Sequence, residues 1–124
     1  MTTHLLDTTI LVDLLRKNKA AEGWFTSIGD AAAMSVVSLT ELYTGVRSRR
    51  EEQDLLQLET VIRPLIVDRD IAIRAGVFVR LYEASHNIDD PDALIAATAE
   101  HHGLKLATLN VKHFPMFRKL KPAY

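Results

Sequence analysis

The sequence predicts an α/β fold: a central parallel sheet of four to five short strands with helices on both faces. Three observations predict it. Short apolar runs alternate along the chain with longer stretches whose apolar residues recur at helical spacing. Strand-then-helix alternation of this kind implies parallel strands joined by crossover helices. The composition, 48% hydrophobic and 25% charged over 124 residues, is that of one globular domain large enough to bury a core.

His4-Leu5-Leu6 reads as the first strand, ending at Asp7. Residues 8–17 follow as a helix with Ile10, Leu11, Leu14 and Leu15 on one face. A second helical stretch, 20–28, contains Trp24, Phe25 and Ile28. Ala33-Met34-Ser35-Val36-Val37 is the expected second strand, and Leu39, Leu42, Tyr43 and Val46 then recur at helical spacing, with Gly45 near the end. Residues 51–62 align Leu55, Leu58 and Ile62 on a further helix, which Pro64 stops. Leu65-Ile66-Val67 is the expected third strand. Asp70 is placed to cap a long helix over 71–85. Asp90-Pro91 opens a helix from Asp92 to His102, because proline suits the first helical turn, and Gly103 closes it. Leu104-Lys105-Leu106-Ala107 is the last strand and runs into Thr108-Leu109-Asn110. No Gly/Ser linker, Pro-rich segment or internal repeat divides the chain, so residues 1–124 are expected to form a single domain.

Several function classes drop out on composition. Without cysteine there is no disulfide framework, thiolate metal site or cysteine nucleophile. The apolar runs fall short of the roughly 18 residues a spanning helix needs. Met1-Thr2-Thr3-His4 lacks the basic start and apolar stretch of a secretory leader, so a cytoplasmic location is the expectation. A net charge of −1 argues against binding nucleic acid by bulk charge alone. The charge is uneven, however. Residues 111–124 hold Lys112, Arg118, Lys119 and Lys121 with no acid, a local +4, so the rest of the chain carries −5. A basic tail on an acidic body fits an acidic pocket with a phosphate-attracting edge, and equally a solvated C-terminus.

Open parallel sheets bind ligands beyond the carboxyl ends of their strands. Asp7 follows the first strand there, Ser38 and Glu41 follow the second, Asn110 follows the last, and Asp92 starts the helix before it. Each has an ordinary explanation taken alone. Asp7 can cap the helix beginning at Thr8. Ser38-Leu39-Thr40-Glu41 spells a capping box. Asp92 complements a helix dipole, and Asn110 can end a strand in a turn. Their common location at one sheet edge is harder to explain by capping. Carboxylates that converge repel one another unless one is protonated or a cation neutralises them. Oxygen donors without cysteine suit Mg²⁺ or Mn²⁺ better than Zn²⁺. The adjacent His101-His102 pair lies in the last turn of its helix, where positive charge suits the dipole, and reads as structural with diverging rings.

These residues resemble a PIN domain, and specifically the VapC-type toxin ribonucleases of toxin–antitoxin pairs. Leu6-Asp7-Thr8-Thr9-Ile10-Leu11-Val12-Asp13 is similar to the family's opening strand and acid. Ser35-Val36-Val37-Ser38-Leu39-Thr40-Glu41-Leu42-Tyr43-Thr44-Gly45 resembles its second motif. Asp92-Ala93-Leu94-Ile95-Ala96-Ala97-Thr98-Ala99 resembles the third, and Thr108-Leu109-Asn110-Val111-Lys112-His113-Phe114 the closing one. The resemblance runs nearly end to end and implies a PIN-like three-layer α/β/α fold. It implies a Mg²⁺-dependent ribonuclease (Mn²⁺ also fits) with Asp7, Glu41, Asp92 and Asn110 as catalytic residues and Asp7 and Asp92 as direct metal ligands. Asn110 stands where many relatives carry an acid, and His113 where others have Asp, which favours one tight Mg²⁺ over two. RNA as substrate, a cognate antitoxin that blocks the site and a homodimer are further implications. Lys112, nearest the site in sequence, and Arg47 are the candidate phosphate contacts, although Glu51 and Glu52 offer Arg47, Arg49 and Arg50 pairing partners.

Other readings remain open at this point. A haloacid-dehalogenase-type phosphatase needs a second Asp two residues after Asp7, where Thr9 stands. A phosphoacceptor receiver-type domain needs an acid beside Asp7 and a phosphoacceptor after the third strand, where Asp68 lies. A catalytically silent PIN-like interaction module is the non-enzymatic alternative. Helix 71–85, with Ile71, Ile73, Val77, Phe78, Val79, Leu81 and Tyr82, is more apolar than one sheet face requires. With the Trp24-Phe25 region it is a candidate dimer contact.

Overall fold

A computed structural model describes residues 1–124. Four strands, β1 (His4–Leu6), β2 (Ala32–Ser35), β3 (Arg63–Leu65) and β4 (Lys105–Ala107), form one sheet in the order β3-β2-β1-β4. All pairs are parallel; Leu5 of β1 lies opposite Ala33 of β2 on one side and Leu106 of β4 on the other. The helices are α1 (Thr8–Leu15), α2 (Lys19–Ser27), α3 (Val36–Thr44), α4 (Arg49–Val61), α5 (Arg69–His86) and α6 (Asp90–His101). A single 3-10 turn, Val111–His113, follows β4.

Side-chain alternation along the strands divides the core in two. Leu5, Ala33 and Leu106 point into a cluster with Ile71, Ala75 and Phe78 of α5 and Ile95, Ala96 and Ala99 of α6. Leu6, Met34 and Ala107 face the other way, onto Ile10 and Leu11 of α1, Leu42 of α3 and Leu55 of α4. Both sheet faces are therefore buried, which is why these strands read as unbroken apolar runs. No buried side-chain polar atom lacks a hydrogen-bond partner.

Several boundaries differ from the sequence reading. Strand β2 ends at Ser35, and Val36-Val37 opens α3. Ser35, not Ser38, is the N-cap; its hydroxyl accepts from Val37 N–H at 3.1 Å. The expected capping box is absent, and both Ser38 and Glu41 sit inside α3. Strand β3 lies two residues earlier than expected and includes Pro64, which a strand at the sheet edge tolerates. Helix α5 is capped by Asp68, which accepts from Ile71 N–H at 2.9 Å, and Asp70 falls in its first turn. Helix α6 likewise starts earlier, with Asp89 accepting from Asp92 N–H at 3.0 Å. In each case an aspartate earlier in the run takes the cap, because it alone stands three residues before a free N–H. Gly103, at φ +64°, ends α6 in the left-handed conformation glycine favours.

Candidate active site

The chain passes from β1 through β2 to β3 in one direction, and β4 lies on the other side of β1. The order therefore reverses between β1 and β4, and the crevice beyond their carboxyl ends is where such sheets hold ligands. Asp7 and Thr108 occupy those two ends. Parallel pairing of Leu6 with Ala107 brings them side by side across 101 residues of chain.

Asp7 is 4% exposed, and both its carboxylate oxygens are held. Oδ1 accepts from Thr8 N–H at 2.7 Å, the capping bond the sequence anticipates. Oδ2 accepts from Thr108 Oγ1–H at 2.7 Å and from Thr9 Oγ1–H at 3.0 Å. A helix cap alone requires one oxygen and no burial; three donors from two strand ends fix the carboxylate's orientation. Thr108 in turn accepts from Asn110 N–H at 2.9 Å, which ties the closing loop to the same carboxylate.

A cleft of about 450 Å³ opens over Asp7 and is lined by Glu41, Asp92, Asn110, Asp13, Asp89 and His113 among others. All four residues expected to be catalytic thus share one cleft. Glu41 reaches it from α3, with Oε1 accepting from Thr8 Oγ1–H at 2.7 Å, while buried Ser38 shares a 2.9 Å hydrogen bond with the same threonine. Thr8 therefore fixes α3 against α1, a role the sequence did not reveal. Asn110 is exposed, and its side chain caps nothing. Asp13 is bound by the hydroxyl of Tyr124. Lys112 and Arg47 do not line the cleft. Lys112 faces a separate groove with Tyr82 and His86, and Arg47 donates to the carbonyls of Thr44 and Val46. Arg47, Arg49 and Arg50 form no ion pair with Glu51 or Glu52. Asp68 lies away from the cleft as the cap of α5, 3.8 Å from His101 Nε2, so it has no phosphoacceptor position. His101 and His102 do not diverge: their rings meet edge to face at 5.0 Å.

The electrostatics are those of an excess of negative charge. Burial, then the charges of Asp89 and Asp7, push the Asp92 carboxyl up to about 7, although His113 beside it acts in the opposite sense. His113 Nδ1 lies 3.1 Å from Asp92 Oδ2. Asp89 contributes to this field and was read from the sequence only as a neighbour; its place at the N-cap of α6 aims it at the same cleft.

A divalent cation fits this donor set in kind. The carboxylates of Asp7 and Asp92 line a common cleft, and burial together with the charges of Asp89 and Asp7 raises the Asp92 pKa, a penalty that a cation would offset. No three His, Asp or Glu side chains are close enough to grip one ion together. Two carboxylates would leave a hard divalent cation most of its water shell.

Comparison with known proteins follows the same outline. The family model described as "PIN domain" matches residues 4–119. Ribonuclease VapC10 of Mycobacterium tuberculosis is 44% identical over 123 residues, spanning 97% of this chain and 92% of the relative. Ribonuclease VapC19 of the same organism is 42% identical over 127 residues, with 97% and 98% covered. Among solved structures, a toxin–antitoxin complex from Klebsiella pneumoniae superposes with a TM-score of 0.84 at 27% identity over 98% of both chains. A DNA-bound VapBC from Salmonella typhimurium gives 0.74 at 25% identity, covering 98% of this chain and 97% of the other.

Proposed function

The chain belongs to the PIN-domain family, and from that premise we propose that it is a Mg²⁺-dependent ribonuclease acting as the toxin of a toxin–antitoxin pair. One observation carries the chemistry: buried Asp7, fixed by three hydrogen bonds, faces an Asp92 whose carboxyl is pushed up to about 7. Burial and like charge together make an ionised Asp92 costly in the free protein, and a bound cation would offset that cost.

Asp7 and Asp92 would hold the ion. When bound, it polarises a phosphoryl oxygen and lowers the pKa of water at its surface. The chain's own groups do the rest. Glu41, held by Thr8, accepts a hydrogen bond from the attacking water and orients it. The Asn110 amide donates to a phosphate oxygen without adding charge. His113 stands 3.1 Å from Asp92 and keeps that carboxylate aimed into the cleft. Asn110 and His113 bring no carboxylate to the closing motif, which favours a single ion. A single-stranded or looped RNA, whose bases are free of a duplex, is the expected substrate. The cleft's acidity suits block by a partner that presents cations, and the antitoxin is that partner. A second copy of the chain is the third partner proposed. No helix is long and apolar enough to cross a membrane, and a cytoplasmic site of action agrees with an RNA substrate.

The test is RNA cleavage by the purified chain with Mg²⁺ or Mn²⁺ and with EDTA. Asp7→Asn and Asp92→Asn should each lower cleavage by more than about 100-fold with the circular dichroism spectrum unchanged, since even outer-shell partners of a metal typically cost about 10–100-fold. Near-normal cleavage by either variant, or by the wild type in EDTA, contradicts the reading. A catalytically silent module predicts no cleavage under any condition.

A further inference from the structure

The C-terminal residues return past the β4 edge of the sheet. After the 3-10 turn the chain runs back along β4, and Ala123 N–H donates to Thr108 O at 3.0 Å. Between this returning segment and β4 lies a groove of about 580 Å³, lined by His4, Trp24, Lys105, Arg118, Lys119 and Lys121 over an apolar floor. The four cations are exposed, and none lies within ion-pair distance of a carboxylate. Arg118 also lines the adjoining groove that holds Lys112, next in sequence to the His113 at the rim of the acidic cleft. Lys112, Arg118, Lys119, Lys121 and Lys105 thus place positive charge in two adjoining grooves along the closing segment.

The groove also has a stacking surface. Trp24 is half-buried, its ring 5.8 Å from that of His4 in an edge-on arrangement and 6.3 Å from that of Tyr124. Burial, with Lys105 beside it, lowers the His4 pKa below its ordinary value, so that ring is neutral at physiological pH. A neutral aromatic cluster bordered by unpaired lysines offers what single-stranded nucleic acid takes: a π-face for bases and cations for the backbone. The six residues from Lys105 to Asn110 span at most roughly 16 Å, five steps at strand rise, the reach of a few nucleotides.

We propose that this groove is a binding site for the single-stranded RNA flanking the scissile phosphate, with Lys105, Arg118, Lys119 and Lys121 on the phosphates and Trp24 stacked on a base. The proposal rests on the ribonuclease reading of the acidic cleft and extends it to substrate selection. An acidic body would otherwise repel RNA, and these cations supply the local attraction that a net charge of −1 lacks.

Trp24 is the only tryptophan, so its fluorescence reports on this groove alone. The experiment titrates the full-length chain in EDTA with a single-stranded RNA of about 12 nucleotides, within the usual site sizes, reading fluorescence and anisotropy together. The expected result is quenching that parallels binding. Lys119→Ala with Lys121→Ala should weaken binding about tenfold and reduce the salt slope by about 1.4, two contacts at roughly 0.7 each. Both lysines are exposed, so that variant should melt with the wild type. Failure of the RNA to bind, binding without quenching, equal affinity in the double variant or equal quenching by duplex RNA overturns the groove. Cleavage of RNA by the wild type in Mg²⁺ judges the acidic cleft separately, so the two ideas fail on different readouts.

Discussion

At the scale of single residues, the chemistry rests on Asp7 and Asp92 having different surroundings. Asp7 is saturated by donors, and Asp92 is not. The pH dependence follows from that difference. Asp92 has a folded pKa of about 7, above its unfolded value near 3.8, so between these values the folded state binds more protons than the unfolded one. Its contribution to stability is therefore fully present below about pH 4 and is lost as pH rises through 7. In EDTA, the wild type should lose melting temperature relative to Asp92→Asn over that window, with the difference levelling off above it. Melting curves from pH 4 to 8 check this; parallel curves would contradict it. Asp7 and Asn110 were legible because they follow strands at the sheet's carboxyl edge, whereas Glu41 and Asp92 lie inside α3 and in the first turn of α6 and were singled out through the motifs that resemble the PIN family. Thr108, Thr8 and Asp89 were not singled out as site residues. Their roles depend on side-chain hydrogen bonds and charges between elements far apart in sequence, as with Thr108 and Asp7. The one available signal for Thr108 was its position after β4, matching that of Asp7 after β1.

At the scale of elements, all four strands and six helices were legible, and the errors lie at boundaries. Periodicity identifies the middle of an element, whereas an end is decided by which polar side chain reaches a free N–H. Val36 and Val37 read as strand because they are β-branched, yet Ser35 captures Val37 N–H and starts α3 there. Pro64 reads as a stop, yet at a sheet edge its missing N–H costs little. The correction at α5 is open to measurement. Asp68→Ala removes the cap and the contact with His101, and should cost about 1 kcal/mol in urea denaturation. Asp70→Ala should cost only a few tenths, the size of a first-turn dipole effect. Equal costs, or the reverse order, would restore Asp70 as the cap.

At the scale of the whole molecule, two properties remain after the core is accounted for. One is exposed apolar surface. Helix α5 buries Ile71, Ala75 and Phe78 and leaves Ile73 49% and Leu81 60% exposed, so it is not covered all round. The half-buried Trp24 and Phe25 pack instead onto the opposite core cluster, away from α5. The proposed homodimer therefore narrows to the Ile73–Leu81 face. Light scattering at micromolar concentration should give twice the chain mass, and Leu81→Glu with Ile73→Glu should give the monomer; a monomeric wild type contradicts it. The other property is the unbalanced charge of the acidic cleft, on which the functional account stands. A cation that binds only the assembled site stabilises the fold by mass action, about 2.7 kcal/mol at a concentration 100 times its Kd. The direct measurement is thermal melting at neutral pH of the wild type and Asp92→Asn, each in EDTA and in rising Mg²⁺. The account predicts that the wild type gains melting temperature with Mg²⁺, while Asp92→Asn melts no lower than it in EDTA and loses most of the gain. A wild type that gains nothing from Mg²⁺ or Mn²⁺ would contradict it and leave these carboxylates as helix caps.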